Sequence, residues 1–316
     1  MRLWWLWVWC GCWSAEPLDH GVTAEQWVRL HGELALPAIT SQCTLANCDG
    51  AAALAQALFF EPALSGSKAI SCKTCHDPAR WFIDTRTPND VSQTASGFTR
   101  RNSPSLVDLG YKPPAQVFTW IGKYASAGAV LELAVHNAMA SDEATVASVI
   151  RSSSAYNAAY TALFGPPALE DVAIFKNLEL SYDAYLERLI SVDSPFDQWL
   201  AGDPAALDED AQRGFAVFVG KGGCIDCHRG PMFSDFEYRN TGVPRTAINT
   251  GVDNGRFELT NDPKDLGMFV TPGLRQVAQT GPYMHDGSLA TLGEVVAFYR
   301  RGGDPGGPGT RDPRIV

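Results

Sequence analysis

The chain has 316 residues, 45% of them apolar, enough for about two domains of ~150 residues each and too many for disorder to be its main state. Acidic residues outnumber basic ones 35 to 25, a net charge of −10 and the wrong sign for following a phosphate backbone, so nucleic acid is set aside as a partner. The 29 Gly and 20 Pro predict a loop-rich chain, which suits a protein wrapped around something rigid.

In chain order, residues 1–15 read as a signal peptide, with Arg2 ahead of an apolar run from Leu3 to Cys10 that is too short to span a bilayer as a mature helix. The alternative is a lipoprotein leader cleaved at Gly11-Cys12, which makes a lipid anchor the one expected link to a membrane. Either leader places the body of the protein in the periplasm. His20 and His31 read as surface residues, since nothing nearby completes a site. Cys43 and Cys48 flank a short polar loop and are expected to form a disulfide, the alternative being two idle thiols.

The patterning then turns helical. Ala51–Phe60, Ala127–Ala140, Leu169–Ile190 and Leu207–Val219 read as helices, and alternating strand patterns are scarce, so the expected fold is mainly α. Two identical words stand apart from this background: Cys72-Lys73-Thr74-Cys75-His76 and Cys224-Ile225-Asp226-Cys227-His228. Each is C-x-x-C-H, the attachment site of c-type haem, in which two thiols one turn apart bond the porphyrin vinyl groups and the adjacent imidazole reaches the iron. A four-thiolate zinc site or a thioredoxin-like dithiol would not call for a histidine directly after each second cysteine. The words lie 152 residues apart, which predicts two cytochrome c-like haem lobes: an N-terminal one over 16–195 and a C-terminal one over 196–303, dividing near Ser194-Pro195, with the N-terminal segment packing on either lobe. The Gly/Pro-rich segment 304–316 reads as a flexible tail.

The last helix opens with a T-x-x-E capping box, Thr291 to Glu294, and ends at Arg300, Arg301 and Gly302. Leu292, Val295, Val296 and Tyr299 fall at i, i+3, i+4 and i+7, which puts Tyr299 on the expected buried face. There its phenol needs a polar partner: a hydrogen-bonding group of the core, or an iron.

The surroundings of both words resemble the di-haem cytochrome c peroxidase and MauG superfamily from about Leu54 to Gly303. The matching stretches are LFFEPALSGSKAISCKTCHDPARWFID, RNSPSL, VFTWIGK, GFAVFVGKGGCIDCHRGPMFSD and FVTPGLRQVAQTGPYMHDGSLATLGEVVAFY, in that order. The resemblance implies two lobes packed around an inter-haem calcium and tryptophan region. It implies that hydrogen peroxide reacts at the N-terminal haem and that the C-terminal haem handles electrons or stores an oxidising equivalent. Asn102 and the carbonyls of Thr280 and Pro282 match the family's calcium ligands, an oxygen-only set suited to a hard cation. Trp120 matches the tryptophan lying between the haems, and His285 matches a position close to the second haem with an expected hydrogen-bonding role.

Tyr299 falls 17 residues after Pro282, where peroxidases of the family carry an axial methionine and MauG an axial tyrosine; Met268 and Met284 are the competing ligands. A phenolate favours oxidised iron, whereas a thioether raises a haem's potential. Two departures mark the first haem. No histidine occurs between Asp77 and Arg101 to cap its iron, so the site is expected to be open. Val130 and Ala140 stand where the family places Gln and Glu, and neither moves a proton. His136, or failing it Tyr124, could stand in as acid/base. The resemblance thus implies an enzyme that oxidises a bound partner protein, one oxidised at tryptophan being a comparable case. The alternatives are a peroxidase fed by a small cytochrome c or cupredoxin, and a non-catalytic di-haem electron carrier.

Overall fold

The structure, a computed structural model, describes residues 22–38, 41, 43–86, 93–94, 97–111, 117–243, 252–304 and 306–315. The leader 1–15, with Cys10 and Cys12, lies outside the described residues, as does His20. In chain order the helices are α1 (Ala24–Leu34), α2 (Cys48–Phe59), α3 (Cys72–Cys75), α4 (Leu131–Leu133), α5 (Glu143–Ser152), α6 (Ser154–Phe164), α7 (Asp171–Leu186), α8 (Pro195–Leu200), α9 (Glu209–Val219), α10 (Phe257–Thr260) and α11 (Leu292–Arg300). Strand is limited to two antiparallel pairs among the described residues, Gln93–Thr94 with Gly97–Phe98 and Tyr238–Arg239 with Phe269–Val270. No helix among the described residues is long and apolar enough to cross a membrane.

The expected mainly α fold is what forms, and its starts are written locally. Asn47 accepts the Gly50 N–H at α2, Asp208 the Ala211 N–H at α9 and Thr291 the Glu294 N–H at α11, each satisfying a donor that the first turn leaves orphaned. The Cys43–Cys48 disulfide is present and anchors the first residue of α2. α2 packs against α7 in a core that includes Leu58, Val135, Ile150, Ile174 and Leu178. Each such side chain contributes about 1.5–3 kcal/mol by leaving water.

The segment expected as one helix over Ala127–Ala140 is instead a 3-10 turn at Gly128–Val130, then α4, then a π-helical turn at Ala134–Ala138. The break follows from close backbone approach. Gly128 donates to Asp183 Oδ1 at 2.6 Å, and a Cβ there would stand 2.0 Å from the Glu179 carbonyl oxygen.

A second core joins Trp199 and Leu200 of α8 and Phe215 of α9 to Val22, Trp27, Leu30 and Leu34 at the other end of the chain. Of the two placements open to the N-terminal segment, the apolar face of α1 takes the one against α8 and α9.

Within the segment expected as a flexible tail, residues 306–315 make specific contacts. Asn240 Nδ2 donates to the Pro308 carbonyl at 2.6 Å, the Asp312 N–H to the Asn240 carbonyl at 2.9 Å, and Ile315 is buried. The Asp312 carboxylate accepts from Arg314 at 2.6 Å and lies 3.7 Å from the buried Arg239. Polar anchoring of this kind is what a Gly/Pro composition conceals. Arg314 holds the Asp312 carboxyl below the usual range, so its stabilisation is present above pH ~4 and fades as pH falls through the lower folded value. Asp312→Ala is expected to cost about 1 kcal/mol by removing its contacts to Arg314 and Arg239, the latter keeping its bidentate pair with Asp235, read as a lower midpoint in denaturant unfolding near pH 7.

Candidate functional site

The first word forms α3, started by the Ser71 N–H donating to Thr74 Oγ1 at 3.0 Å. The His76 N–H closes the turn on the Cys72 carbonyl at 3.0 Å, which sets both thiols and the imidazole on one short loop. The ring is then fixed by a backbone group: Nδ1 lies 2.9 Å from the Phe82 carbonyl oxygen, so Nδ1 carries the proton and Nε2 keeps its lone pair. Trp81 and Phe82 both adopt positive φ, 54° and 58°, and so turn the chain back toward the histidine. Burial pushes the His76 imidazole below its usual value and the Cys72 thiol up to about 11, so the resting groups are a neutral imidazole and a thiol.

The second word repeats the device. Gly223 (φ 62°) leads into a 3-10 turn at Cys224–Asp226, and the His228 N–H bonds the Cys224 carbonyl at 2.9 Å. His228 Nδ1 lies 2.8 Å from the carbonyl of Phe233, which has φ 51°, and burial lowers this imidazole too. Neither phenylalanine carbonyl was among the residues singled out from the sequence. The available signal was a Phe six residues after His76 and five after His228.

These observations fit two covalent haems. Among the described residues Cys72, Cys75, Cys224 and Cys227 form no disulfide while Cys43 and Cys48 do, and each of the two CxxC pairs stands beside a histidine whose Nε2 is left for a metal.

Between the words lies a buried junction. The Asn102 N–H donates to the His285 carbonyl at 2.8 Å, its Nδ2 to the Pro282 carbonyl at 2.9 Å, and its own carbonyl accepts Trp120 Nε1 at 2.9 Å. The expected calcium residues Asn102 and Pro282 are thus brought together. Asn102 Oδ1 is buried without a hydrogen-bond partner, an arrangement that suits an oxygen-seeking cation. The Trp120 ring meets His285 edge-on, centroids 6.5 Å apart, and His285 stacks on Phe269 at 3.7 Å. Burial brings His285 down to about 4, so it is neutral above that pH even with Asp253 3.9 Å away.

Tyr299 departs from the expected pattern. In α11 the buried residue is Phe298, whereas Leu292, Val296 and Tyr299 keep 37%, 60% and 38% of their surface open. The apolar stripe is exposed and not packed in the core, because α11 packs through Phe298, off the stripe. Tyr299 still has enough protein around it that desolvation, followed by the nearby Cys227 and Cys224, raises its phenol to about 12. It therefore stands beside the second word as a protonated phenol.

His136 sits in the π-helical turn with Nε2 3.2 Å from Glu143 Oε2 and its ring stacked on Phe175 at 6.2 Å. Tyr124 is buried under Lys123. Val130 begins the α4 turn, and Ala140 has φ 45° with its carbonyl packed against Gly66.

A family model described as di-haem cytochrome c peroxidase matches residues 49–205. The cytochrome-c peroxidase IdrP1 of Denitromonas iodatirespirans is 35% identical over 82% of this chain and 74% of its own. The methylamine utilization protein MauG of Methylorubrum extorquens is 33% identical over 80% and 69%. Among solved structures, the diheme peroxidase BthA of Burkholderia thailandensis superposes with a TM-score of 0.72 at 28% identity, covering 79% of this chain and 71% of its own. A MauG-like protein associated with microbial copper homeostasis gives 0.74 at 27%, covering 90% and 88%. Replacing both Cys224 and Cys227 by Ser should lower the covalent haem measured by alkaline pyridine spectrum from two per chain to one, and an unchanged value would deny the second word its attachment role. With matched spans this long and thiol-histidine sites of this geometry, the chain belongs to the di-haem cytochrome c peroxidase family, as an oxidoreductase that uses peroxide and carries two haem c groups.

Proposed function

We propose that the protein is a MauG-type enzyme of the periplasm: hydrogen peroxide reacts at the His76 haem, oxidising power is shared through Trp120 with the His228 haem, and a bound partner protein is oxidised at the surface. The haems, when bound, supply the two-electron reduction of peroxide and hold the resulting oxidising equivalents. What supports the reading is Tyr299 on α11, whose phenol is partly open and near enough to Cys227 and Cys224 for them to act on it electrostatically. An anionic oxygen ligand there stabilises oxidised iron and suits waiting for a slow protein partner.

The chain's own residues then divide the work. His76 and His228 present Nε2, each held in its tautomer by a backbone carbonyl. Trp120 is oriented by its bond to the Asn102 carbonyl, and neutral His285 fills the space beside it without adding charge. Tyr299 releases its phenol proton when its oxygen binds a cation. Asn102 Oδ1 and the carbonyls of Thr280 and Pro282 would hold calcium at the junction, joining the two lobes. At the first haem neither Val130 nor Ala140 moves a proton, so His136, with Glu143 on its Nε2, is the proposed acid/base. A second reading, peroxide reduction with electrons from a small cytochrome c or a cupredoxin, has support from the relatives named cytochrome-c peroxidase.

Mixing the ferric protein with peroxide is expected to change both haem spectra with no prior reduction; turnover of reduced cytochrome c would favour the second reading. Tyr299→Phe should alter the ferric spectrum of one haem only, and an unaltered spectrum removes the tyrosine ligand. His136→Ala should slow the peroxide reaction by about a hundredfold, and undiminished reactivity dismisses His136 as the acid/base.

A further inference from the structure

Around the first word the structure gathers tyrosines that the proposed path through Trp120 does not use. Tyr182 and Tyr185 stand on α7, with the Tyr182 hydroxyl 3.8 Å from Cys72 Sγ and the Tyr185 ring 5.6 Å from Phe59. Tyr156, near the start of α6, is close enough to Tyr182 that ionising both phenols would be mutually unfavourable. Its hydroxyl donates to Glu61 Oε2 at 2.9 Å. Glu61 is itself held, since Oε1 accepts the Ala63 N–H at 2.9 Å in the turn after α2. One carboxylate oxygen is therefore fixed by the backbone and the other is aimed at the phenol.

A phenol that donates directly to a fixed carboxylate is built to lose an electron. Oxidation makes a phenol strongly acidic, and a base already in place removes the need to form a charged radical cation inside the protein. Tyr160, one turn further along α6, is a contrast: it is fully buried and accepts from Asn177 Nδ2 at 2.6 Å, with no carboxylate to take its proton.

We propose that Tyr156 and Glu61 form a proton-coupled redox site, a second exit for oxidising equivalents from the first haem, reached by way of Tyr182. The step balances as follows. Hydrogen peroxide takes two electrons and two protons to become two waters; the protons would come from solvent, one electron from the ferric iron of the bound haem, and the other from the Tyr156 phenol. Its hydroxyl O–H bond breaks, the proton crosses to Glu61, and the products are a neutral phenoxyl radical and a carboxylic acid. Tyr156 is partly exposed, so a one-electron reductant in solution reaches the radical without passing through the second lobe.

The inference rests on peroxide reacting at the first haem, and its test separates the two. The ferric di-haem protein is mixed with peroxide, frozen within the first turnovers and read by electron paramagnetic resonance, with haem absorbance followed in parallel. A tyrosyl signal is expected that narrows with ring-deuterated tyrosine, falls at least about tenfold in Tyr156→Phe and is retained in Tyr160→Phe. Glu61→Gln keeps an acceptor but not a base and should slow formation of the signal about tenfold or more. Haem bands that respond to peroxide with no tyrosyl signal, or with a signal unchanged in Tyr156→Phe, overturn this assignment alone. Haem bands that do not respond at all overturn the underlying reading and this one with it.

Discussion

A backbone carbonyl held against Nδ1 of a histidine is the contact on which both centres depend. Each imidazole presents Nε2 only while the other nitrogen keeps its proton, and that proton stays because the Phe82 and Phe233 oxygens lie 2.9 and 2.8 Å away. Burial adds a second constraint by disfavouring the charged ring. A side-chain acceptor could do the same, but a carboxylate there would bring its own charge and titration. The carbonyl fixes the tautomer of the neutral ring without titrating itself, and its position is fixed in turn by non-glycine residues at positive φ, a conformation adopted only when surrounding structure enforces it.

The junction between the centres is organised by one residue. Asn102 uses its N–H, its carbonyl and its amide nitrogen on His285, Trp120 and Pro282, so the indole, the imidazole and the 280–282 loop share one rigid reference. That leaves its side-chain oxygen as the unsatisfied group. The cost of burying a bare amide oxygen is of order 1–3 kcal/mol, and a cation bonded there would offset it while tightening the same reference.

Much of this was legible in the chain itself, and the rest was not for identifiable reasons. Haem attachment follows from spacing alone, because CxxCH is a local chemical requirement. The starts of α2, α9 and α11 are local too, each carried by a capping side chain. Periodicity put Tyr299 on one stripe with Leu292 and Val296, but it does not say whether a stripe is covered; Phe298, off the stripe, is the residue that packs. The Phe82 and Phe233 carbonyls were illegible because a backbone oxygen has no letter in a sequence. The folded tail was hidden for a related reason: its Gly and Pro residues argue for mobility, and the contacts that oppose this, to Arg239 and Asn240, lie some seventy residues upstream.

The placement of α1 bears on how the molecule is assembled. Its partners Trp199 and Phe215 are synthesised more than 160 residues after it, so the amphipathic segment emerges early and waits with Trp27 and Leu30 uncovered. Contacts of such long sequence separation form late, since the intervening loop must be closed first. The first haem word precedes α8 and α9 in the chain, and α1 is covered only once those helices have formed, which makes it a clasp between the start of the chain and the segment leading into the second word.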